Sequence, residues 1–199
     1  MSAFTQDRDL LNAAVREAGA LALSHFNSGV KSWNKKPNDP VSEADIAIDR
    51  LLHERLAEAR PQYGWLSEES ERRPTQAKDG SFWVIDPIDG TRAFIEGKPE
   101  FTVCVALMQN SQPVLAAIYN PASEEFFEAT AGGGATLNGK PIHASGHGSL
   151  MEARFLASRR TFGNTAGSAA PPRRISPIAT PSPIAWRWWR RASSTPRSA

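Results

Sequence analysis

Residues 83–97 read WVIDPIDGTRAFIEG, and the fold turns on this stretch. The apolar run FWVI ends on Asp86, where a strand is expected to meet a loop. Asp89 follows three residues later, across a turn that contains Pro87. Such a turn lets both carboxylates face one point. Gly90 and Thr91 then open a short helix-like segment, RAFIEG. Backbone N–H groups at a start of this kind can hold a phosphate oxygen.

Moving upstream, residues 63–69, YGWLSEE, form another short apolar run that ends on Glu68 and Glu69. Before it, Ser42 precedes EADIAIDRLLHERLAEA, residues 43–59. Ser42 reads as an N-cap with Asp45 three residues on, and Leu51, Leu52 and Leu56 make an apolar stripe. Residues 7–27 place Leu10, Leu11, Ala14, Val15, Ala18, Leu21 and Ala22 at helical spacing. Downstream, FTVCVALMQ, PVLAAIYN and EEFFEAT are β-type runs punctuated by Gly, Pro, Asn and Asp. In GGGATLNGKPI, a turn and a short strand lead to a hairpin turn at Asn138-Gly139. Two helices followed by a mostly antiparallel sheet define an α+β layer.

The acids carry the chemistry. Asp45, Glu68, Asp86 and Asp89 sit at element ends, and carboxylates gathered this way repel one another unless a cation lies among them. Oxygen donors without nearby Cys or His suit a hard ion such as Mg²⁺ rather than Zn²⁺. On its own, DPIDGT could be no more than a turn whose Asp and Gly residues bend the chain. With Glu68 and Glu69 before it and Asp45 on a capped helix before those, the metal reading is stronger. His25, His53, His143 and His147 lack partners at ligand spacing, and Lys35-Lys36 read as a solvated run in the loop before VSEAD. Gly132-Gly133-Gly134 has no helix after it and reads as a turn rather than a phosphate cradle.

VSEAD, WLSEES and WVIDPIDGTRAFIEG, in that order, resemble the three N-terminal signatures of the inositol monophosphatase superfamily. The resemblance spans about residues 5–160. DGTRAFIEGKPEFTVCVAL followed by PVLAAIYNP is most similar to the 3'(2'),5'-bisphosphate nucleotidase branch, while the inositol-1-phosphatase and histidinol-phosphatase branches share the metal motif. The resemblance implies a layered αβαβα fold of the sugar-phosphatase type and two Mg²⁺ ions. Glu68, Asp86 and the Ile88 carbonyl would bind the first ion, and Asp86 and Asp89 the second. Glu68 and Thr91 would orient the attacking water, with Asp45 hydrogen-bonded to Thr91. Glu69 would stand behind the ligands, and the Gly90 and Thr91 amides would face the substrate phosphate. The implied partner is a small phosphorylated metabolite, with no nucleic acid for the folded part and a possible homodimer in the full-length form. Family members continue into an α/β domain that ends in a Trp-Asp motif, and no such motif follows Asp89 here.

Composition sets the remaining expectations. The chain has 199 residues, 40% of them hydrophobic and 22% charged, as in soluble globular proteins. No apolar run reaches the ~20 residues that span a bilayer. The N-terminus lacks the layout of a secretory signal, and the single Cys104, expected to be a buried strand residue, fits a reducing compartment; a cytoplasmic location follows. The net charge of +2 conceals two unlike segments. Residues 159–199 hold eight arginines and no acid, leaving the earlier residues with an acidic balance. We expect an N-terminal α+β domain over residues 1–145, the start of an α/β domain over 146–163, and an unpacked tail over 164–199. The tail is rich in Pro and carries the cluster WRWW. It could be a basic, aromatic surface for nucleic acid or membrane. It also rereads well in a shifted frame: if neighbouring codons end in G or C, residues 185–196 become Leu-Ala-Leu-Val-Ala-Ala-Gly-Val-Leu-Asp-Ala, which has helical composition. The leading function is thus a Mg²⁺-dependent phosphomonoesterase. The alternative is an inactive truncated homologue that binds a partner through its Arg/Trp tail.

Overall fold

The computed structural model describes residues 3–37, 39–69 and 80–144. The expected domain boundaries at 145/146 and 163/164, and the whole of the tail, lie outside these residues.

The two expected helices form α1 (Ala3–Ser28) and α2 (Glu43–Ala59). On α1, Leu11, Ala14, Val15, Ala18 and Ala22 make one buried stripe. On α2 the stripe is Ala44, Ile48, Leu52 and Leu56. Both stripes lie against a seven-stranded sheet made of β3 (Gly64–Ser67), β4 (Ser81–Asp89), β5 (Thr102–Gln109), β6 (Gln112–Asn120), β7 (Glu125–Thr130), β8 (Gly134–Leu137) and β9 (Lys140–Ile142). The strands follow one another in sequence order across the sheet. β3 and β4 pair in parallel, and every later pair is antiparallel. Trp83, Ile85, Val103, Val105, Leu107 and Leu115 point from the sheet into the helix-facing core. This is the α+β layering expected from the periodicities.

Two local features depart from expectation. Residues around Lys35-Lys36, read as a loop, form a two-stranded hairpin of β1 (Ser32–Lys36) and β2 (Asp39–Ser42). The second is at Asp86, where β4 does not end. It continues to Asp89, with the register against β5 broken between the two acids. Pro87 has no N–H to give to a ladder, so a proline here fits only where pairing is interrupted. The irregular step lets the strand carry both acids and still pair Asp89 with Thr102. The hairpin turn read at Asn138-Gly139 is present, with φ of 49° and 76° at the two residues, the positive pair that such a turn needs.

Candidate metal centre

Each acid is placed by a different local cause. Asp45 sits in the first turn of α2, and its Oδ2 accepts the Ser42 backbone N–H at 2.8 Å and the Ser42 hydroxyl at 2.6 Å. These bonds close the helix N-terminus as a capping box. Its Oδ1 accepts the Thr91 hydroxyl at 3.3 Å. Glu68 follows β3. The parallel register sets Ser67 opposite Ile85, so the next residue on each strand, Glu68 and Asp86, is brought side by side. The Glu68 N–H donates to the Ile85 carbonyl at 3.1 Å and fixes that junction.

The Glu68 and Asp86 carboxyl groups are hydrogen-bonded to one another. Burial, together with the charges of Glu68, Asp89 and Asp45, pushes Asp86 up to about 9, so Asp86 keeps its proton at neutral pH. Asp89 is buried, 5% exposed. Burial also raises the Asp45 carboxyl, against the hydrogen bonds from Ser42 and Thr91. The Cys104 thiol, buried in β5 as expected, is raised by burial and by the Asp89 and Asp86 charges.

After Asp89 the chain turns at Gly90 into α3 (Thr91–Ile95). Gly90 has φ 96°, and a Cβ there would stand 2.7 Å from the Glu100 carbonyl oxygen. Phe94 anchors α3, with ring centroids 4.7 Å from Phe101 and 5.6 Å from Phe26 of α1. The Ile88 carbonyl accepts the Thr91 hydroxyl at 2.9 Å. A hydroxyl has one proton, so Thr91 divides it between Ile88 and Asp45.

The residues singled out in the sequence therefore come together: Asp45, Glu68, Asp86, Asp89, Gly90 and Thr91 surround the junction of β3, β4, α2 and α3. Among the described residues, no three His, Cys, Asp or Glu side chains are arranged to hold a metal ion. Asp86 instead holds its proton against Glu68. The chemistry of the set still fits a divalent ion, because a cation would replace that proton and leave all the donors oxygen.

Sequence reasoning missed three participants. Lys35, read as solvated, reaches from the hairpin to Glu69 Oε1 at 2.7 Å, and no local signal marks it. Burial acts against its charge, but the Glu69 hydrogen bond and the charges of Glu69, Asp39 and Glu68 raise its pKa. Glu69 is raised by burial, opposed by Lys35, and its Oε2 is buried with no hydrogen-bond partner among the described residues. The other two are Ser67 and Asp49, which are hydrogen-bonded to each other. Asp49 was legible as the helix neighbour of Asp45 four residues on. His53 lies edge-on against Trp65, with centroids 4.9 Å apart, in keeping with its ordinary role.

A family profile described as the inositol monophosphatase family matches residues 5–169. The inositol-1-monophosphatase of Rhizobium meliloti (strain 1021) is 41% identical over 120 residues, 60% of this chain and 44% of that protein. The histidinol-phosphatase of Chlorobaculum parvum is 35% identical over 142 residues, 71% of this chain and 54% of that protein. Among solved structures, the extragenic suppressor protein suhB from Bartonella henselae superposes with a TM-score of 0.70 at 31% identity, covering 76% of this chain and 58% of that one. An IMPase/NADP phosphatase solved with Mg²⁺ and phosphate has a TM-score of 0.70 at 20% identity, a likeness of fold alone, over 78% of this chain and 59% of that one. The chain thus spans about half the length of the relatives it matches. Profile, relatives and fold agree with the signatures around Asp45, Glu68 and Asp86, and the chain belongs to the inositol monophosphatase family.

Proposed function

We propose that this chain carries the metal-binding half of a Mg²⁺-dependent phosphomonoesterase for a small phosphorylated metabolite. One observation supports the reading above others: Asp86 is driven to about 9 by burial and by neighbouring acids, a repulsion that a divalent cation relieves. Glu68, Asp86 and the Ile88 carbonyl are the proposed donors for one ion, and Asp86 and Asp89 for a second. Bound Mg²⁺ supplies positive charge for the phosphate and lowers the pKa of a coordinated water. The rest falls to side chains and backbone. Asp45 accepts the Thr91 hydroxyl and so leaves an oxygen lone pair of Thr91 free to accept a hydrogen bond from the attacking water. Glu68 orients the same water. The Gly90 and Thr91 N–H groups face the phosphate oxygens. Glu69, tied to Lys35, stands behind these groups.

The named relatives favour inositol monophosphate or histidinol phosphate as the substrate class over the bisphosphate nucleotide suggested by the strand signatures. The test is phosphate release from inositol 1-phosphate, histidinol phosphate and 3'-phosphoadenosine 5'-phosphate, with and without Mg²⁺, by a chain extended to the length of these relatives. We expect Mg²⁺-dependent release from one of the three, lost in Asp86→Asn. Release that ignores Mg²⁺, or survives Asp86→Asn unchanged, would contradict the proposal.

A further inference from the structure

Helix α2 carries two carboxylates one turn apart, and each reaches a different part of the candidate metal centre. Asp45 accepts the Thr91 hydroxyl at 3.3 Å, on the segment that follows Asp86 and Asp89. Asp49 accepts the hydroxyl of Ser67, the last residue of β3. The Ser67 oxygen in turn accepts the Glu69 backbone N–H at 3.2 Å. Ser67 is 5% exposed, so water competes little for either bond.

The turn bearing Glu68 therefore has two anchors. On one side, the Glu68 N–H is held by the Ile85 carbonyl at 3.1 Å. On the other, the Glu69 N–H is held by Ser67, whose hydroxyl is oriented by a carboxylate acceptor, the stronger kind of hydrogen bond. Residues four apart on a helix are neighbours about 6 Å apart along its axis. The pitch of α2 thus sets the separation between the Glu68 turn and Thr91.

We infer that Asp49, acting through Ser67, is a positioning residue that holds the Glu68 carboxylate at the ion site. The inference rests on the metal-binding reading above. Asp49 itself touches neither ion nor substrate in this account. It fixes the peptide that follows Glu68, and a freed peptide would let the carboxylate swing off its mark.

The test is Mn²⁺ binding to the full chain, followed by loss of the free-ion electron paramagnetic resonance signal, beside thermal melting of each variant. Ser67→Ala and Asp49→Ala should each weaken Mn²⁺ binding about 10-fold or more, the usual loss when a group that orients a ligand is removed. The double variant should be no weaker than the worse single, because the two act in one chain of bonds. Ser67→Thr, which keeps the hydroxyl, should retain wild-type affinity. Asp7→Asn, which disturbs the Asp7–Arg60 pair between α1 and the end of α2, should lower the melting temperature and leave affinity alone. If Asp49→Ala does not fold, Asp49→Asn decides by an intermediate loss of affinity. Wild-type affinity in the Asp49 and Ser67 variants, with binding abolished in Asp86→Asn, would overturn the positioning role and leave the metal centre standing. Equal titration of wild type and Asp86→Asn would instead remove the metal centre, and the positioning role with it.

Discussion

At Asp86 the protein without metal holds a proton that water would take from a free carboxyl at pH 7. In the unfolded chain an Asp ionises near 3.9. Folding raises it to about 9, through burial first and the Glu68 and Asp89 charges next. For an acid raised on folding, the stabilising contribution is complete below the unfolded pKa and fades as pH rises through the folded one. Asp45, Asp49 and Glu69 are also raised, each by burial first, and contribute with the same sign. The melting temperature of the metal-free chain should therefore fall between about pH 4 and pH 9. Asp86→Asn should raise it at neutral pH and flatten the slope, as scanning calorimetry across that range would record. Ion binding must expel the Asp86 proton, so Mn²⁺ affinity should climb with pH over the same window. A second residue-scale prediction concerns Gly90. Its φ of 96° and the 2.7 Å approach to the Glu100 carbonyl leave no room for a Cβ. Gly90→Ala should cost more than about 1 kcal/mol in urea unfolding, since both strain and backbone overlap oppose it.

Among the elements, α1 packs on β6 with no gap at Gly19. A Cβ there would lie 2.3 Å from the Tyr119 ring. Alanine in a helix interior gains about 1 kcal/mol over glycine, but overpacking costs about 1–3 kcal/mol. The overlap is deep, so Gly19→Ala should be destabilising, and the added change Tyr119→Leu should recover part of the loss in a urea double-mutant cycle. The β1–β2 hairpin presents a different case. Its strands are short, its β1 residues are exposed, and the Lys35–Glu69 bridge ties it to the end of β3. Removing one partner of that bridge leaves the buried Glu69 carboxylate uncompensated. In Lys35→Met, amide exchange across residues 32–42 should quicken while the rates in β5 and β6 stay as they were. Unchanged exchange in the hairpin would mean that β pairing alone holds it down.

On the scale of the whole molecule, the chain matches only 44% and 54% of the length of two of its relatives. Among the described residues, the proposed second ion has two carboxylates, Asp86 and Asp89. In the resemblance, a further Asp comes from the α/β domain, which also walls the substrate pocket. Loss of one group that stabilises developing charge costs on the order of 10²-fold, and loose substrate placement costs about as much again. The 199-residue chain should bind Mn²⁺ and yet release phosphate near the background rate. A chain extended to family length should release it at an ordinary enzyme rate, as a phosphate assay of the two side by side would reveal. Ordinary turnover by the 199-residue chain would show that the remaining carboxylate is supplied some other way.

Much of the molecule is legible in the residues because the governing interactions are local. Helical period and the Ser42–Asp45 cap mark α2 to the residue, and alternation bounded by Gly and Asn marks the strands. The candidate acids are legible too, since Glu68 and Asp86 lie at the ends of apolar runs that must be buried. What the residues alone leave open is which of these ends meet. The parallel pairing of β3 with β4 sets Glu68 beside Asp86, and it joins stretches separated by the segment between them in sequence. The Lys35 tether and the Asp49–Ser67–Glu69 chain also form between distant segments. Side-chain type and period say that a lysine or a serine is polar, but only the packing of α2 and the hairpin against the sheet decides which polar group stands within reach of the proposed ion site.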